Sequence, residues 1–394
     1  MTKSGPAASS GASAAIDWLS EARRIQDRLA EIRRAFHRDP ELGNREFHTS
    51  DRIIAVLSEL GIPCERVCGT GVCGRLLLAG RGKAAGLRAD MDALPVEEKT
   101  GAGFVSQNAG VMHACGHDVH MTAALGAAML LSAHRNELAG EVRFLFQPDE
   151  EGSGGARRMI EAGCADGLGA VFGMHVSPDL PAGDIGIRYG KFYAASDMFE
   201  IRVRGRGAHG ATPEKGIDAL RAACRIVDEI SVIPDMFQDR CIITTGKLTA
   251  GTKENTVAES AVLNGIIRTL GPDMRSRTKD LVRERAEAAA AALGASAEVL
   301  FQPSYGGIVN TGPETQIAEE AAVALVGADR VHRIEEPVMT TEDFGCFTEK
   351  CSGSFYHIGA GCSLPLHSSG FLPSEDILPV AAAVHAAVLT HYLQ

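Results

Sequence analysis

The sequence predicts an α/β protein whose larger domain has three layers, with helices on both faces of a largely parallel sheet. Four short apolar runs predict buried strands, namely RLLLAG, AAGLRAD, VRFLFQP and AVFGMHV, and helical patterns lie between several of them. Strands that alternate with helices usually form a parallel sheet covered on both sides. The chain has 394 residues, which exceeds the size at which one hydrophobic core stops growing, so we expect two domains.

The predicted helices begin close to the N-terminus. The first covers residues 21–37, where apolar side chains recur at helical spacing until the pattern stops just before Pro40, a residue that cannot continue a helix. The second lies near 50–60 and ends at Gly61, a typical left-handed cap residue. Further helices are predicted over 118–134 and 155–162 and from 376 to the end.

The middle of the chain follows a different order. From about Ser196 the pattern is strand, helix, strand, strand, helix and strand, in the segments MFEIRVRG, 216–230, CIITTGKL, AVLNGIIRTL, 275–293 and AEVLFQ. This order is the ferredoxin-like arrangement, which can fold as a unit of about a hundred residues. We therefore expect an inserted domain over residues 195–304, and a catalytic domain formed by 1–194 and 305–394, to which the strand FYHIGAG belongs.

Composition limits the classes of partner and the cellular location. A net charge of -11 repels phosphate backbones and anionic lipid, so neither nucleic acid nor a membrane surface is an expected partner. The N-terminus has no basic start followed by a sustained apolar run, and no later apolar stretch approaches the roughly 20 residues that span a bilayer. Ten cysteines are a low density for this length, and without an export signal we expect them to be reduced. A cytoplasmic protein is predicted.

The segment MHACGHDVH contains a cysteine and a histidine two positions apart, Cys115 and His117. This spacing fits a tight loop better than a helix, so both residues are expected to precede the helix predicted over 118–134. Thiolate, imidazole and carboxylate groups are the side chains that bind borderline divalent metals. The pattern predicts a metallohydrolase. The later candidate ligands are Glu150, Glu151, His175 and His367.

Several of these side chains directly follow predicted strands. They are Asp90 with Asp92, Glu150 with Glu151, and His175. Ligands in open α/β sheets collect at the carboxyl ends of the strands, so the three positions are expected to meet. Two adjacent glutamates in extended backbone point in different directions, which lets one bind metal while the other faces the water.

Other chemical patterns in the sequence are less informative. Cys64, Cys68 and Cys73 lie close together but lack the paired spacing and the fourth ligand of a structural zinc site. GTGVCG at 69–74 fails as a nucleotide site because a predicted strand follows it. GRGAHG at 205–210 fails because the three residues Ala211, Thr212 and Pro213 separate it from its helix. Hydrogen-bonded core or surface roles are expected for His37, His48, His134, His332, His385 and His391, while His113, His120 and His357 stay undecided.

Seven motifs in order along nearly the whole chain resemble one protein family. They are LRADMDALPVEE, MHACGHDVH, FQPDEEGSGG, FGMHV, VRGRGAHGATP, TEDF and LHSSGF. Together they resemble the M20 metallopeptidases, in particular the amidohydrolase branch that includes hippurate hydrolases and auxin-conjugate hydrolases. The resemblance implies a zinc-exopeptidase-like catalytic domain with a two-metal centre, interrupted by a lid or dimerisation domain, and activity on N-acyl amino acids. A homodimer or higher homo-oligomer through the lid is implied as well.

The resemblance also assigns roles to single residues. Glu150 becomes the general base that takes a proton from the attacking water and passes it to the leaving amine. Asp92 is a candidate for orienting a ligand, and Asp118 fits a favourable charge in the first turn of a helix equally well. Cys115 would bind as thiolate where the wider superfamily has a carboxylate, which leaves Mn, Zn, Co and Ni open. The implied ligands of two divalent metal ions per subunit are Cys115, His117, Glu151, His175 and His367.

Two residues of the inserted domain complete the implied site. His209 would reach into the active site of the partner subunit and stabilise the developing oxyanion, where one donor often lowers the barrier by about 3 kcal/mol. Asn255 matches a lid asparagine that contacts substrate in relatives, although this chain continues with Thr256, Val257 and Ala258 where the common form has Val-Ile-Pro. A turn asparagine explains Asn255 equally well.

Two rival functions use the same residues. A dipeptidase or carboxypeptidase would employ the same metal centre on a different amide. A catalytically silent scaffold would keep the metals and the oligomer but would have no need of Glu150. The sequence leaves open the acyl group, the amino acid and the native metal.

Overall fold

The computed structural model describes residues 16–302 and 304–394. Residues 1–15 lie outside this part. The predicted start of the catalytic domain and the expected absence of an export signal concern these residues. The chain up to residue 194 forms, in order, α1 (Trp18–Arg24), α2 (Gln26–Arg38), α3 (Phe47–Glu59), β1 (Cys64–Val67), β2 (Gly71–Leu77), β3 (Gly80–Asp90), α4 (His117–Ala133), β4 (Ala139–Gln147), α5 (Ala156–Glu161), β5 (Ala170–Ser177), β6 (Ile185–Ile187) and β7 (Gly190–Lys191).

The remaining elements form two further groups along the chain. The first group is β8 (Ala195–Arg204), β9 (Ala208–His209), α6 (Ala219–Ser231), β10 (Ile242–Ala250), β11 (Thr256–Val257), β12 (Ser260–Thr269), α7 (Pro272–Ala291) and β13 (Ser296–Gln302). The second group is β14 (Val309–Asn310), α8 (Gly312–Val326), β15 (Val331–Arg333), α9 (Gly345–Lys350), β16 (Ser352–Gly359) and α10 (Leu378–Leu393).

The larger sheet has eight strands in the order β1-β2-β4-β3-β5-β16-β6-β15. Its centre is parallel, because β3 pairs in parallel with β4 and β5, and β5 pairs in parallel with β16. Antiparallel pairings of β1 with β2, β2 with β4, and β16 with β6 make the sheet mixed towards its edges. The predicted α/β class is confirmed.

Helices pack on both faces of this sheet. Neighbouring side chains of β4 point to opposite sides, so Phe144 belongs to the core beneath α2, α4 and α10, and Leu145 to the core beneath α5 and α9. Almost every residue of α4 and α10 is buried, which explains why both helices are apolar all round. The two cores give the three layers that the sequence predicts.

The smaller sheet has the order β10-β12-β8-β13 and is antiparallel throughout. Helices α6 and α7 pack against each other and share one apolar core with this sheet. The order strand, helix, strand, strand, helix, strand over residues 195–302 confirms the ferredoxin-like arrangement. Where the chain leaves and re-enters the larger unit, β7 and β14 pair with each other, with Val309 opposite Lys191.

Two local predictions differ from the structure. The helix predicted over 21–37 is divided at Ile25, which has a φ of -104° and whose N–H bonds to Ala22 and Arg23. The chain does contain one stretch long and apolar enough to cross a membrane, Glu375–Leu393, contrary to the sequence expectation; however, 78% of it is buried inside the protein, as in a core helix. The cytoplasmic location stays a prediction.

Candidate metal centre

The candidate ligands lie where the central parallel strands end. Asp90 is the last residue of β3, the loop 148–155 follows β4, and His175 lies near the end of β5. Because β3 pairs in parallel with both β4 and β5, these three ends are side by side. His367 reaches the same place from a loop before α10, where its backbone N–H bonds to the carbonyl of Ala114 at 2.8 Å.

A left-handed glycine sets the direction of Cys115 and His117. Gly116 has a φ of 86°, a conformation that favours glycine, and a Cβ at this position would lie 2.5 Å from Cγ2 of Val176. His117 is the first residue of α4, so the expectation that it precedes the helix is wrong, whereas Cys115 does precede it. The sharp turn at Gly116, rather than an extended loop, brings the two side chains to one cluster.

The five predicted ligands form one cluster. Sγ of Cys115 lies 3.3 Å from Nε2 of His175, and Oε1 of Glu151 lies 3.1 Å from Nε2 of His367. Nε2 of His117 lies 4.0 Å from the same oxygen of Glu151. Donor atoms of Cys115, His117 and His175 lie within 4.8 Å of one another, as do those of Cys115, Glu151 and His367. The two groups share the sulfur.

The orientation of the cluster fits divalent metal ions. Nδ1 of His117 bonds to the carbonyl of Asp92 at 2.8 Å and Nδ1 of His175 to the carbonyl of Val176 at 2.7 Å, so both rings direct Nε2 inwards. Nε2 of His117 is buried and has no hydrogen-bond partner among the described residues. Buried polar atoms normally have partners, and a metal ion is the partner that this set of sulfur, nitrogen and oxygen donors suits.

The charges at the cluster also favour a cation. Burial, together with Glu151 and Glu150, raises the pKa of the Cys115 thiol well above its usual range. Burial lowers the pKa of His117, but Asp90, Asp92 and Glu151 outweigh it and raise that pKa to about 10. The surrounding carboxylates thus create a negative potential, which a dication neutralises while it favours the thiolate form of the cysteine.

Asp92 connects the loop after β4 to the cluster. Its Oδ1 accepts the backbone N–H of Glu150 at 3.0 Å and its Oδ2 accepts that of Glu151 at 2.9 Å. Oδ1 also lies 3.4 Å from Nδ1 of His117. Asp92 is 2% exposed, so it fixes the glutamate pair and one histidine from within the protein.

Glu150 faces a group of acids that the sequence reasoning did not assign. Its carboxyl oxygen lies within 4.8 Å of ligand-type oxygens of Glu342 and Asp343. Burial, followed by the charges of these two residues, raises the pKa of Glu150 well above its usual range. Arg88, which is 1% exposed, pairs with both acids at 2.9 Å and with Asp90 at 2.8 Å. The motif TEDF, which contains Glu342 and Asp343, was the signal that could have revealed them.

Two of the three undecided histidines, His120 and His357, are held by hydrogen bonds, whereas the buried ring nitrogens of His113 have no partner among the described residues. His120 bonds to Asp90 through Nδ1 at 2.6 Å and accepts the N–H of Val176 through Nε2 at 2.9 Å, so neither nitrogen is free. Nε2 of His357 bonds to the hydroxyl of Tyr193 at 2.6 Å. His113 is 1% exposed, and burial lowers its pKa to about 3. Acidic or hydrogen-bonding partners lie beside His37, His48, His134, His332, His385 and His391.

His209 belongs to none of the groups of ligand-type side chains in the part of the chain that the structure describes. His209 is in β9, which pairs with β11, and both His209 and Asn255 are exposed. The N–H of Gly210 bonds to the carbonyl of Asn255 at 2.8 Å, so the two candidate residues are neighbours on the ferredoxin-like unit. Both side chains are therefore accessible to solvent.

The fold and the cluster define a class, and the chain belongs to peptidase family M20/M25/M40, whose model matches residues 86–391. The resemblance seen in the motifs is therefore confirmed. Family membership and the relatives that follow make the protein a hydrolase of amide bonds.

Relatives of known name extend over nearly the whole chain. Thermostable carboxypeptidase 1 of Saccharolobus solfataricus is 38% identical, over 95% of this chain and 97% of its own length. N-acetylcysteine deacetylase of Bacillus subtilis is 37% identical, over 93% and 97% respectively. A crystal structure of a dinuclear metal-binding peptidase of the M20 family from Bacillus subtilis superposes with a TM-score of 0.85 at 35% identity, over 94% of this chain and 99% of that one.

Proposed function

We propose that the protein hydrolyses the amide bond of N-acyl amino acids to give a carboxylate and a free amino acid. The observation that carries this proposal is the position of Glu150, a carboxyl group that lies beside His117 and Glu151 of the proposed ligands and also adjoins the acids Glu342 and Asp343. A relative named as a deacetylase of an N-acylated amino acid supports the substrate class. A scaffold would not require such a group.

The proposed ligands of two divalent metal ions are the five side chains of the cluster. A dication bound there supplies Lewis acidity to the substrate carbonyl and lowers the pKa of water. The chain orients the donors through the carbonyls of Asp92 and Val176 and holds Glu151 through its backbone. Mn, Zn, Co and Ni all suit such donors. The ligands are Cys115, His117, Glu151, His175 and His367.

Glu150 is the proposed general base. It takes a proton from the attacking water and transfers it to the nitrogen of the leaving amino acid. The burial and the neighbouring acids Glu342 and Asp343 that raise its pKa help the carboxyl hold the proton between these two steps. Arg88 balances part of this negative charge and keeps the acids in place.

The ferredoxin-like unit, residues 195–304, is proposed to act as lid and dimerisation domain. His209 would stabilise the oxyanion in the active site of the partner subunit, and Asn255 beside it would contact the substrate. Both residues are exposed and adjacent, and His209 is not among the donors of its own chain's cluster, which supports an action in trans.

Replacing Glu150 by Gln tests the role of the base. We expect metal content per chain to stay unchanged while turnover falls by about 10²- to 10⁴-fold, because the amide cannot accept the proton. Metal content is measured by plasma emission spectroscopy, and turnover by release of free amino acid. Glu161→Gln, at the exposed end of α5, is the matched control and should retain full activity. Unchanged turnover in E150Q would reject the assignment.

Mixing two inactive variants tests the action of His209 in trans. E150Q and H209N are refolded or exchanged together in equal amounts. In a mixed dimer, one of the two sites combines Glu150 from one chain with His209 from the other, so random pairing should restore about a quarter of wild-type activity. If each chain used its own His209, or if the protein were a monomer, the mixture would be no more active than the mean of the two variants.

A carboxypeptidase is the second candidate, favoured by the name of one relative. Both activities release an amino acid from the nitrogen side of the amide, so the distinction lies in the acyl half, which is a simple acyl group in one case and an amino acid with a free amine in the other. Incubating the metal-loaded protein with matched N-acetyl amino acids and dipeptides, each with and without chelator, separates the two. Cleavage of dipeptides alone would replace the proposed function by the second candidate.

A further inference from the structure

A second group of sulfur atoms lies outside the metal centre. Cys73 in β2 and Cys164 in the turn after α5 line one cleft of about 520 Å³, together with Cys64, Arg75 and Arg143. All ten cysteines of the chain are free thiols, and none of those in this cleft contributes to the cluster around Cys115. The proposed hydrolysis gives these thiols no role.

The sheet register separates the members of this group. Cys73 lies opposite Leu145 of β4, and both belong to the core that contains Cys164. Cys64 lies opposite Gly74 and packs against the core on the other face of the sheet. Only Cys73 and Cys164 therefore both line the cleft and share one core.

The position of Cys164 is fixed by its backbone. Its N–H bonds to the carbonyl of Met159 at 3.0 Å, and its carbonyl accepts Nη1 of Arg143 at 2.9 Å. Cys164 is 5% exposed, whereas Cys73 is partly open to the cleft. A reagent from solvent therefore meets Cys73 first, with Cys164 held behind it.

The electrostatics of the pair distinguish the two sulfurs. The Cys164 thiol lowers the pKa of Cys73; burial opposes this effect, Arg143 adds to it, and Glu65 and Glu141 oppose it. The pKa of Cys164 is raised, chiefly by Cys73. Cys73 is thus the sulfur that loses its proton more readily, and Cys164 is the sulfur that holds its proton more firmly.

We infer that Cys73 and Cys164 form a redox pair that a hydroperoxide oxidises to a disulfide. The Cys73 thiolate attacks one peroxide oxygen, the O–O bond breaks, and hydroxide or alkoxide leaves, so that Cys73 becomes a sulfenic acid. The sulfur of Cys164 then attacks that of Cys73 and displaces the hydroxyl group, which leaves as water with the Cys164 proton. Two thiols are oxidised, and one peroxide is reduced to two waters or to water and an alcohol.

The disulfide would fasten the loop that carries the proposed catalytic acids. Loop 148–155 lies between β4 and α5. The disulfide would join strand β2, which pairs with β4, to the turn that follows α5. The loop would then be held from both ends. We expect a higher midpoint of thermal unfolding in the oxidised protein than in the reduced one.

The experiment is peptide mapping of the full-length, metal-loaded protein after treatment with hydrogen peroxide and alkylation of the remaining thiols. Trypsin places Cys73 in peptide 67–75, Cys164 in 159–188 and Cys64 in 53–66. We expect peptides 67–75 and 159–188 to be linked with the loss of two hydrogen atoms, and dithiothreitol to reverse the link. Because 67–75 also contains Cys68, the Cys68→Ser variant is mapped in parallel.

The variants decide between the candidate sulfurs. C68S and C64S should retain the link, and C73S and C164S should abolish it, with each variant keeping the hydrolytic activity of the untreated protein. A link that persists in C73S would assign the reaction to Cys68 and overturn the inference. Two results in the peroxide-treated wild-type protein would also overturn the inference. In one, Cys73 carries only sulfinic acid while Cys164 remains a free thiol; in the other, both cysteines stay reduced.

Discussion

Replacing Asp92 by Asn should weaken metal binding without removing any ligand. The two carboxylate oxygens accept the N–H groups of Glu150 and Glu151 at 3.0 and 2.9 Å in a position that is 2% exposed. Asparagine keeps one acceptor and turns an NH₂ group towards the other N–H. One buried donor without a partner costs about 1–3 kcal/mol, so we expect the free energy of unfolding to fall by about 2 kcal/mol.

The same change should move both glutamates and one histidine. Loss of a group that orients metal ligands typically lowers metal affinity about 10- to 100-fold. Competition with a chromophoric chelator measures this affinity, and urea unfolding in the presence of chelator measures stability without metal. D92A removes both acceptors and should have about twice the effect of D92N on stability.

Asp179→Asn is the matched control, because Asp179 is exposed and accepts neither of these two backbone N–H groups. It should leave both measurements unchanged. If D92N bound metal as tightly as D179N, the hydrogen bonds of Asp92 would not determine the geometry of the cluster, and the reasoning would fail.

Two further predictions concern Gly116 and His37. Gly116→Ala should destabilise the protein and weaken metal binding more than Gly61→Ala. Both glycines have positive φ, but only a Cβ at position 116 would clash, since it would lie 2.5 Å from Val176. Equal effects of the two substitutions in urea unfolding and chelator competition would contradict this. Burial lowers the pKa of His37, but Asp118 raises it, so that this pKa is about 9 instead of 6.5. Protonated His37 should therefore stabilise the folded protein by on the order of 3 kcal/mol. This contribution is complete below pH 6.5 and is lost as the pH rises through 9. The free energy of unfolding of the metal-free wild type and of H37Q, measured at pH 6 and pH 10, tests this prediction. The same difference between the two proteins at both pH values would disprove it.

The fold was accessible from sequence where local pattern and tertiary environment agree. The ferredoxin-like order could be predicted because each strand of residues 195–302 shows its own apolar pattern and each helix its own period. The break at Ile25 could not, because no glycine or proline marks it. There the packing of α1 and α2 against the rest of the protein decides the backbone path.

The candidate site was accessible for a different reason. The candidate ligand Glu151 follows a strand and the candidate ligand His175 lies near the end of one, and the meeting of parallel strand ends is a rule of topology. The pairing of Arg88 with Glu342 spans 254 residues and joins a strand to a loop. No local sequence pattern indicates such a distant partner, so the sequence does not distinguish a buried arginine from an exposed polar residue of a strand. The orientation of His117 depended on the left-handed turn at Gly116, which the two-residue spacing alone did not reveal.

The short ladder between β7 and β14 bears on how one chain accommodates two folding units. Val309 pairs with Lys191, so the outgoing and returning segments lie next to each other. Once the intervening unit has folded, only a gap of one strand spacing is left to close, so the entropy cost of bringing β7 and β14 together is smaller than for a flexible loop of the same number of residues. Grafting a different unit between these two anchors should leave the host's assembly pathway largely intact, provided its own termini are adjacent.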